Sequence, residues 1–363
     1  MKDFKPARDR EYLTKRMGDV TQLAGLRKFE LTNGMAKGVE AVDFRTGTGF
    51  EFTVLPGRGM DIAWAAYKGV PICFMGKSGV VSPSYYESAG FSWLRSFFGG
   101  LLTTCGLTNV GVPCDDALPE SQIGLRHYGL HGRVSNTCAE NFGMCEEWRG
   151  NDFFMGVTGK MREAITHGEK ITLKREVSAA MGESRLTIKD TVENEGYCDC
   201  PLMLLYHINL GYPVLDEGSR VIYSVKGAKP ADAFSEVCMG ERERITAPIK
   251  DIYENCYFLD PNAEEDGTAL AGLVNDRLDV GVYIKFNKNQ LPRLTQWKEM
   301  GEGDYVLGLE PGLCHPLGRV KQRETDGLEM LKPGEKKNIE VEIGILADAS
   351  EIKAFTDRVA RLG

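Results

Sequence analysis

Short apolar or alternating runs, closed by turn-forming residues, dominate the chain. Phe50 to Leu55 alternates and then meets Pro56-Gly57, and Met60 to Tyr67 forms a second run that stops at Lys68-Gly69. A period of two places successive side chains on opposite faces of a strand, and Gly, Pro and Asn mark where strands turn. Ile171 to Ser178 and Arg185 to Val192 flank Met181-Gly182-Glu183 and predict a hairpin. Gly281 to Phe286, Arg293 to Glu299, Tyr305 to Leu309 and Asn338 to Ile345 repeat the theme, with a further hairpin around Gly301-Glu302-Gly303. Helical spacing is confined to the ends. Ser350 to Leu362 sets Ile352, Phe355 and Val359 on one face with Ser350 as the cap, and Arg8 to Met17 predicts a polar helix.

More than a dozen strands without helix–strand alternation predict an all-β fold, a sandwich of large antiparallel sheets with few short helices. No linker, repeat or low-complexity tract divides the chain. Residues 1–20 are expected to be an appendage and residues 21–363 a single domain.

Composition adds four points. The 42 glycines among 363 residues, about 12% against roughly 7% in ordinary proteins, suit many tight turns. A net charge of −8 argues against nucleic acid, whose phosphates require a basic surface. No apolar run has the length to span a bilayer, and Met1 to Arg16 is densely charged where a secretory signal would be apolar, so a cytoplasmic protein is expected. The ten cysteines contain no C-x-x-C pair; Cys73, Cys105, Cys238, Cys256 and Cys314 sit among apolar or small neighbours and are expected to pack as reduced thiols.

Candidate chemistry lies with four of the five histidines and one glutamate. His131 stands in Gly-Leu-His-Gly-Arg, His207 in Tyr-His-Ile-Asn-Leu, and Glu310 at the end of an apolar run before Pro311-Gly312, followed by His315. A buried carboxylate needs a polar pocket, which makes Glu310 the strongest candidate. His127, four residues before His131, admits a metal set of His127, His131, His207 and Glu310, although the intervening Gly129 speaks against the helix that such spacing would need. His167, in Thr-His-Gly-Glu-Lys, is expected at an exposed turn. On these residues alone the chain is an all-β protein with a His/Glu pocket.

The ordered motifs Gly-Leu-His-Gly-Arg (129–133), Tyr-His-Ile-Asn-Leu (206–210) and Leu-Gly-Leu-Glu-Pro-Gly (307–312) resemble those of the aldose 1-epimerase (galactose mutarotase-like) superfamily, in particular its bacterial aldose 1-epimerase-like branch. Leu-Pro-Gly-Arg-Gly-Met-Asp-Ile (55–62) and the Gly-rich segment 98–107 add to the likeness. The resemblance implies a β-supersandwich with a sugar cleft on its concave face and no cofactor or metal. It implies Glu310 as the base at the anomeric hydroxyl, His207 as the acid at the ring oxygen and His131 as a sugar-binding histidine. An ionised Glu310 facing a protonated His207 would suit those roles. Asn209, Trp297 and Arg133 join the expected substrate contacts, with Trp93 and Tyr206 as further stacking candidates. Arg133 replaces the family's second glycine after His-Gly and suggests an acidic sugar. The sugar-binding arginine is left open among Arg58, Arg95 and Arg133. A non-catalytic sugar-binding or sensing protein, and a metal-dependent sugar isomerase, stand as alternatives.

Overall fold

The computed structural model describes residues 9–117 and 124–363, and three antiparallel sheets make up most of it. The first is a five-stranded meander opened by Gly25–Leu31, Val39–Arg45, Phe50–Leu55 and Asp61–Tyr67. The second has eight strands, among them the long hairpins Glu140–Arg149 with Asp152–Ala164 and Lys170–Ala180 with Arg185–Asn194. Lys336–Leu346 joins these to Val280–Asn287. The third sheet runs from Val225–Pro230 through Asn255–Pro261, Arg293–Met300 and Tyr305–Gly312 to Cys200–Gly211. At its far edge Thr103–Leu107 and Glu329–Leu331 both pair with Cys200–Gly211.

Burial follows the alternation read from the sequence. Arg185–Asn194 sends every second residue into the core, where Leu186, Ile188 and Val192 meet Leu173 and Val177 of its hairpin partner. Cys200–Gly211 differs, because every one of its residues is buried. It lies between two packed layers, so both of its faces need partners inside the protein. Its odd and even positions therefore serve different ends.

The predicted strands and both predicted hairpins are present, most of them longer by a residue or two than the patterns suggest. The C-terminal helix is Ala349–Ala360, and its cap is Asp348, whose side chain accepts from the Glu351 amide; the acid two residues earlier takes the place expected of Ser350. The N-terminal helix is only Arg10–Thr14, and Leu13 enters the main core, tying residues 9–20 to the body of the fold. No helix among the described residues is long and apolar enough to cross a membrane. All ten cysteines are free thiols; Cys73, Cys105 and Cys314 are buried as expected, and Cys238 and Cys256 are half-buried.

Candidate active site

Strand register brings the central pair together. Leu205 lies opposite Gly312 and Ile208 opposite Leu309, so His207 falls opposite Glu310. The same row continues through Thr103 on one side and through Thr295, Phe258 and Lys229 on the other. His207 Nε2 lies 3.2 Å from Glu310 Oε1, with 7% and 2% of the two side chains exposed. Gly308, two residues before Glu310 on the same face, leaves room for the carboxylate. A Cβ there would stand 2.5 Å from Glu310 Oε1 and 3.1 Å from the Trp297 Cβ.

Asn209 fixes the imidazole. Its amide nitrogen donates to the carbonyls of Gly99 (3.1 Å) and His207 (2.9 Å), so its oxygen must accept from His207 Nδ1 at 2.6 Å. With Nδ1 committed as a donor, neutral His207 presents the Nε2 lone pair to Glu310. A hydrogen bond between the two then requires one proton, held either by the carboxyl or by Nε2. Burial lowers His207 to about 4. Burial, with the nearby Glu254 charge adding to it, holds Glu310 well above the usual carboxylate range. Both shifts push toward the uncharged forms, neutral imidazole and carboxylic acid, and so run against the ionised pair expected from the resemblance.

His131 comes to the same place by a different route. It is a non-glycine residue in the left-handed region (φ 55°), a conformation held because its N–H donates to Gly111 O and its C=O accepts from Gly106 N. Gly111 N in turn donates to His131 Nδ1 at 3.4 Å, which leaves Nε2–H as the free donor. The His131 and His207 rings meet edge to face with centroids 5.8 Å apart. Burial and the neighbouring His207 lower His131 to about 3, so it too stays neutral. Trp297 packs against His207 at 5.2 Å, and its indole N–H donates to Glu254 at 2.6 Å. Phe97 closes a ring of aromatic contacts with Trp93, His207 and Trp297.

Other expected contacts fall elsewhere. Asn209 is fully buried with its amide spent on His207 and Gly99, which makes it a positioning residue for the imidazole. Tyr206 points to the opposite face of its strand and donates to Asp190 at 2.6 Å. Trp93 is buried beneath His131 with its N–H near Ser135. Arg133 reaches over Tyr86 on the wall of a separate cavity of about 380 Å³ that none of His131, His207, Trp297 or Glu310 lines. Arg58 is sealed in the interior, donating to the carbonyls of Ser135, Val81 and Ser96, and Arg95 is a surface residue near Glu87. His127 uses both ring nitrogens, one with Asp115 and one accepting from Gly90 N, and so stands apart from the His207 cluster. Among the described residues no group of three His, Cys, Asp or Glu is gathered as metal ligands. His167 is exposed at its turn.

Two neighbours of the pair escaped the sequence analysis, and a third, His315, was a candidate without a role. Glu254 holds Trp297, Phe97 packs on His207, and His315 stacks on Phe258 at 4.4 Å with Nδ1 3.3 Å from Thr295 Oγ1. Only His315 carried a signal, its position five residues after Glu310.

The fold is that of the galactose mutarotase-like aldose 1-epimerases. A candidate aldose 1-epimerase from Klebsiella pneumoniae superposes with a TM-score of 0.87 at 23% identity, covering 94% of this chain and 90% of that one. A galactose mutarotase-like protein from Clostridium acetobutylicum gives 0.62 at 15% identity, covering 89% and 99%. Galactose 1-epimerase from Lactobacillus acidophilus gives 0.59 at 12% identity, covering 89% and 98%. By sequence, the chain belongs to the family described as a domain of unknown function (DUF4432), whose profile matches residues 36–345. Comparison with curated protein sequences finds no match.

Proposed function

We propose that this protein binds a free reducing sugar and interconverts its anomers by acid–base ring opening at the His207–Glu310 pair. The observation that carries the reading is the pair itself: a carboxyl and an imidazole, both buried and 3.2 Å apart, with the imidazole's far nitrogen pinned by Asn209 and the facing carboxyl oxygen without any other partner. Opening a cyclic hemiacetal removes a proton from the anomeric hydroxyl and adds one to the ring oxygen. The ring C–O bond breaks, the C=O forms, and nothing is oxidised or released. Two oxygens bonded to one carbon lie closer together than a hydrogen bond, so one adjacent acid–base pair reaches both.

Sugar hydroxyls donating to Glu310 favour its carboxylate and send the carboxyl proton to His207. Glu310 then takes the anomeric proton while His207 protonates the ring oxygen. Rotation about C1–C2 presents the other carbonyl face, and the pair with reversed roles closes the ring. Each positioned group contributes about 10²–10⁴-fold. His131 Nε2–H is a donor for a sugar oxygen, and the half-buried Trp297 offers an apolar surface to the C–H face of the ring.

The test is saturation-transfer NMR between anomeric protons over a panel of free aldoses and sugar acids. Exchange faster than in buffer, surviving a metal chelator, is expected for at least one sugar. Binding without faster exchange would leave a sugar-binding protein and overturn the catalytic reading.

A further inference from the structure

The floor around Glu310 is electrically lopsided. On one side of it, Trp297 is followed by Glu299 two residues on, and Glu254 holds the indole. Glu299 is pushed up to about 7 by burial and by the charges of Glu254 and Asp304, evidence of three carboxylates crowded at that end. On the other side stand cations. Arg293 lies opposite Gly312, two residues before Thr295 on the same strand face, and Thr295 is the residue opposite Glu310. Such a diagonal neighbour is about 7–8 Å away between Cα atoms, within reach of a long side chain. Lys229 ends the row that runs from Glu310 through Thr295 and Phe258, three strands out or roughly 14 Å at about 4.8 Å per strand.

Both cations remain in reach of solvent, Arg293 in a loose ion pair and Lys229 exposed. Arg293 pairs with Asp326 at 3.8 Å, too long for a hydrogen bond, with both side chains 36% exposed. Lys229 is exposed, and Asp260, diagonal to it on the neighbouring strand, is taken by Lys288 at 2.6 Å. His315 lies among Arg293, Lys229, Asp260 and Asp326, stacked on Phe258, and its burial and the two cations lower it to about 4. It therefore adds a wall to this end without adding charge. Arg293 stands here, one strand from the carboxylate, whereas Arg133 lines the separate cavity beside Tyr86.

We propose that the sugar handled by this site carries an anionic group, a carboxylate or a phosphate, seated at Arg293 with Lys229 behind it, while its anomeric centre lies at Glu310. The proposal rests on the anomerase reading for the position of the anomeric centre. The acidic end repels the same group, so one charge gradient orients the ring and sets which oxygen meets Glu310. A guanidinium suits either anion through paired N–H donors, and a neutral aldose lacks this anchor.

The test compares glucose and galactose with their uronic acids and with glucose 6-phosphate, using wild-type protein, Arg293→Gln and Arg293→Lys. The acidic sugar is expected to exceed its neutral parent at least tenfold in kcat/KM, with the uronates and the phosphate telling the two anions apart. Arg293→Gln should lower kcat/KM for the acidic sugar by about 10- to 100-fold, chiefly through KM, and change the neutral sugar less than threefold; Lys at 293 should restore part of the loss. Equal losses on charged and neutral sugars, or a preference for the neutral ones, would overturn the subsite. If no sugar is exchanged, the catalytic reading fails alone. The subsite then stands if an acidic sugar raises the melting temperature of wild type and not of Arg293→Gln, and falls if it raises neither or both.

Discussion

The two faces of the strand Cys200–Gly211 carry two buried ionisable clusters that handle burial in opposite ways. Behind Tyr206, Arg175 grips Asp190 through two hydrogen bonds of 2.9 and 2.6 Å and donates to Thr104 at 2.7 Å, while Tyr206 donates to the same carboxylate. Both Asp190 oxygens have partners, and its charge keeps Arg175 protonated against the cost of burial; Asp61, 3.6 Å from Arg175, has one oxygen held by Thr104 and one without a partner, and is raised to about 6 by burial. In front, Glu310 Oε1 has only His207 beside it, and each group is driven toward its neutral form. A buried charge whose hydrogen-bonding capacity is filled by protein is scaffolding. One left short is poised to exchange protons with whatever enters.

Breaking the closed cluster should give the largest effect. Arg175→Met leaves Asp190 buried without its cation, and removing one partner of a buried pair costs about 3–5 kcal/mol. Urea unfolding should show that loss, while anomerisation per folded molecule stays within a few-fold of wild type. A large catalytic loss at full stability would erase the division between the two clusters.

Breaking the open pair should do the reverse. Glu310→Gln keeps the shape but cannot accept a proton, so anomer exchange should fall by about 10² or more while sugar binding and melting temperature hold. The double variant with His207→Asn should lose little beyond the worse single, because the two act as one unit. Full exchange by Glu310→Gln would show that the base lies elsewhere.

Legibility in the sequence follows the same division. Glu310 and His207 could be found because a carboxylate ending an apolar run and a histidine inside one each break a local pattern. Arg175 and Asp190 could not, since Lys174-Arg175-Glu176 and Lys189-Asp190-Thr191 have the polar look of exposed strand positions. Their burial depends on which sheet covers them, and no local spacing encodes that. Arg293 was hidden for a related reason. Proximity along the chain drew attention to Arg133 beside His131, whereas proximity across the sheet, set by register, brings Arg293 toward Glu310. Asn209 was legible as a neighbour of His207 but not in its role, which depends on Gly99 fixing its amide.

Acid should weaken the region around His315, where burial and two cations outweigh the neighbouring Asp326 and Asp260. His315 titrates near 6.5 when unfolded and at about 4 when folded, so between those values the unfolded chain holds more protons. Its contribution is complete above pH 6.5 and is lost as pH falls toward 4, by up to about 3 kcal/mol. The stability difference between wild type and His315→Gln, followed by urea unfolding from pH 7 to pH 4, should shrink across that window. A difference independent of pH would mean that His315 keeps one protonation state in both forms.

The smallest change tests how finely the open pair is tuned. Asn209 accepts from His207 Nδ1 while its own amide is pinned by the Gly99 and His207 carbonyls. Asn209→Asp keeps the acceptor and places a negative charge 2.6 Å from the imidazole, while giving up the two donated bonds. A nearby carboxylate favours imidazolium, so His207 should rise from about 4 toward its ordinary range. The imidazole proton shifts followed by NMR should then titrate at least about one pH unit higher than in wild type, and the pH profile of anomer exchange should move with them. Asn209→Ala should instead loosen the ring, reducing exchange about tenfold with no such upward shift. If Asn209→Asp leaves the titration where it was, the charge on this strand face is set by burial alone, and the Asn209 contact only orients the ring.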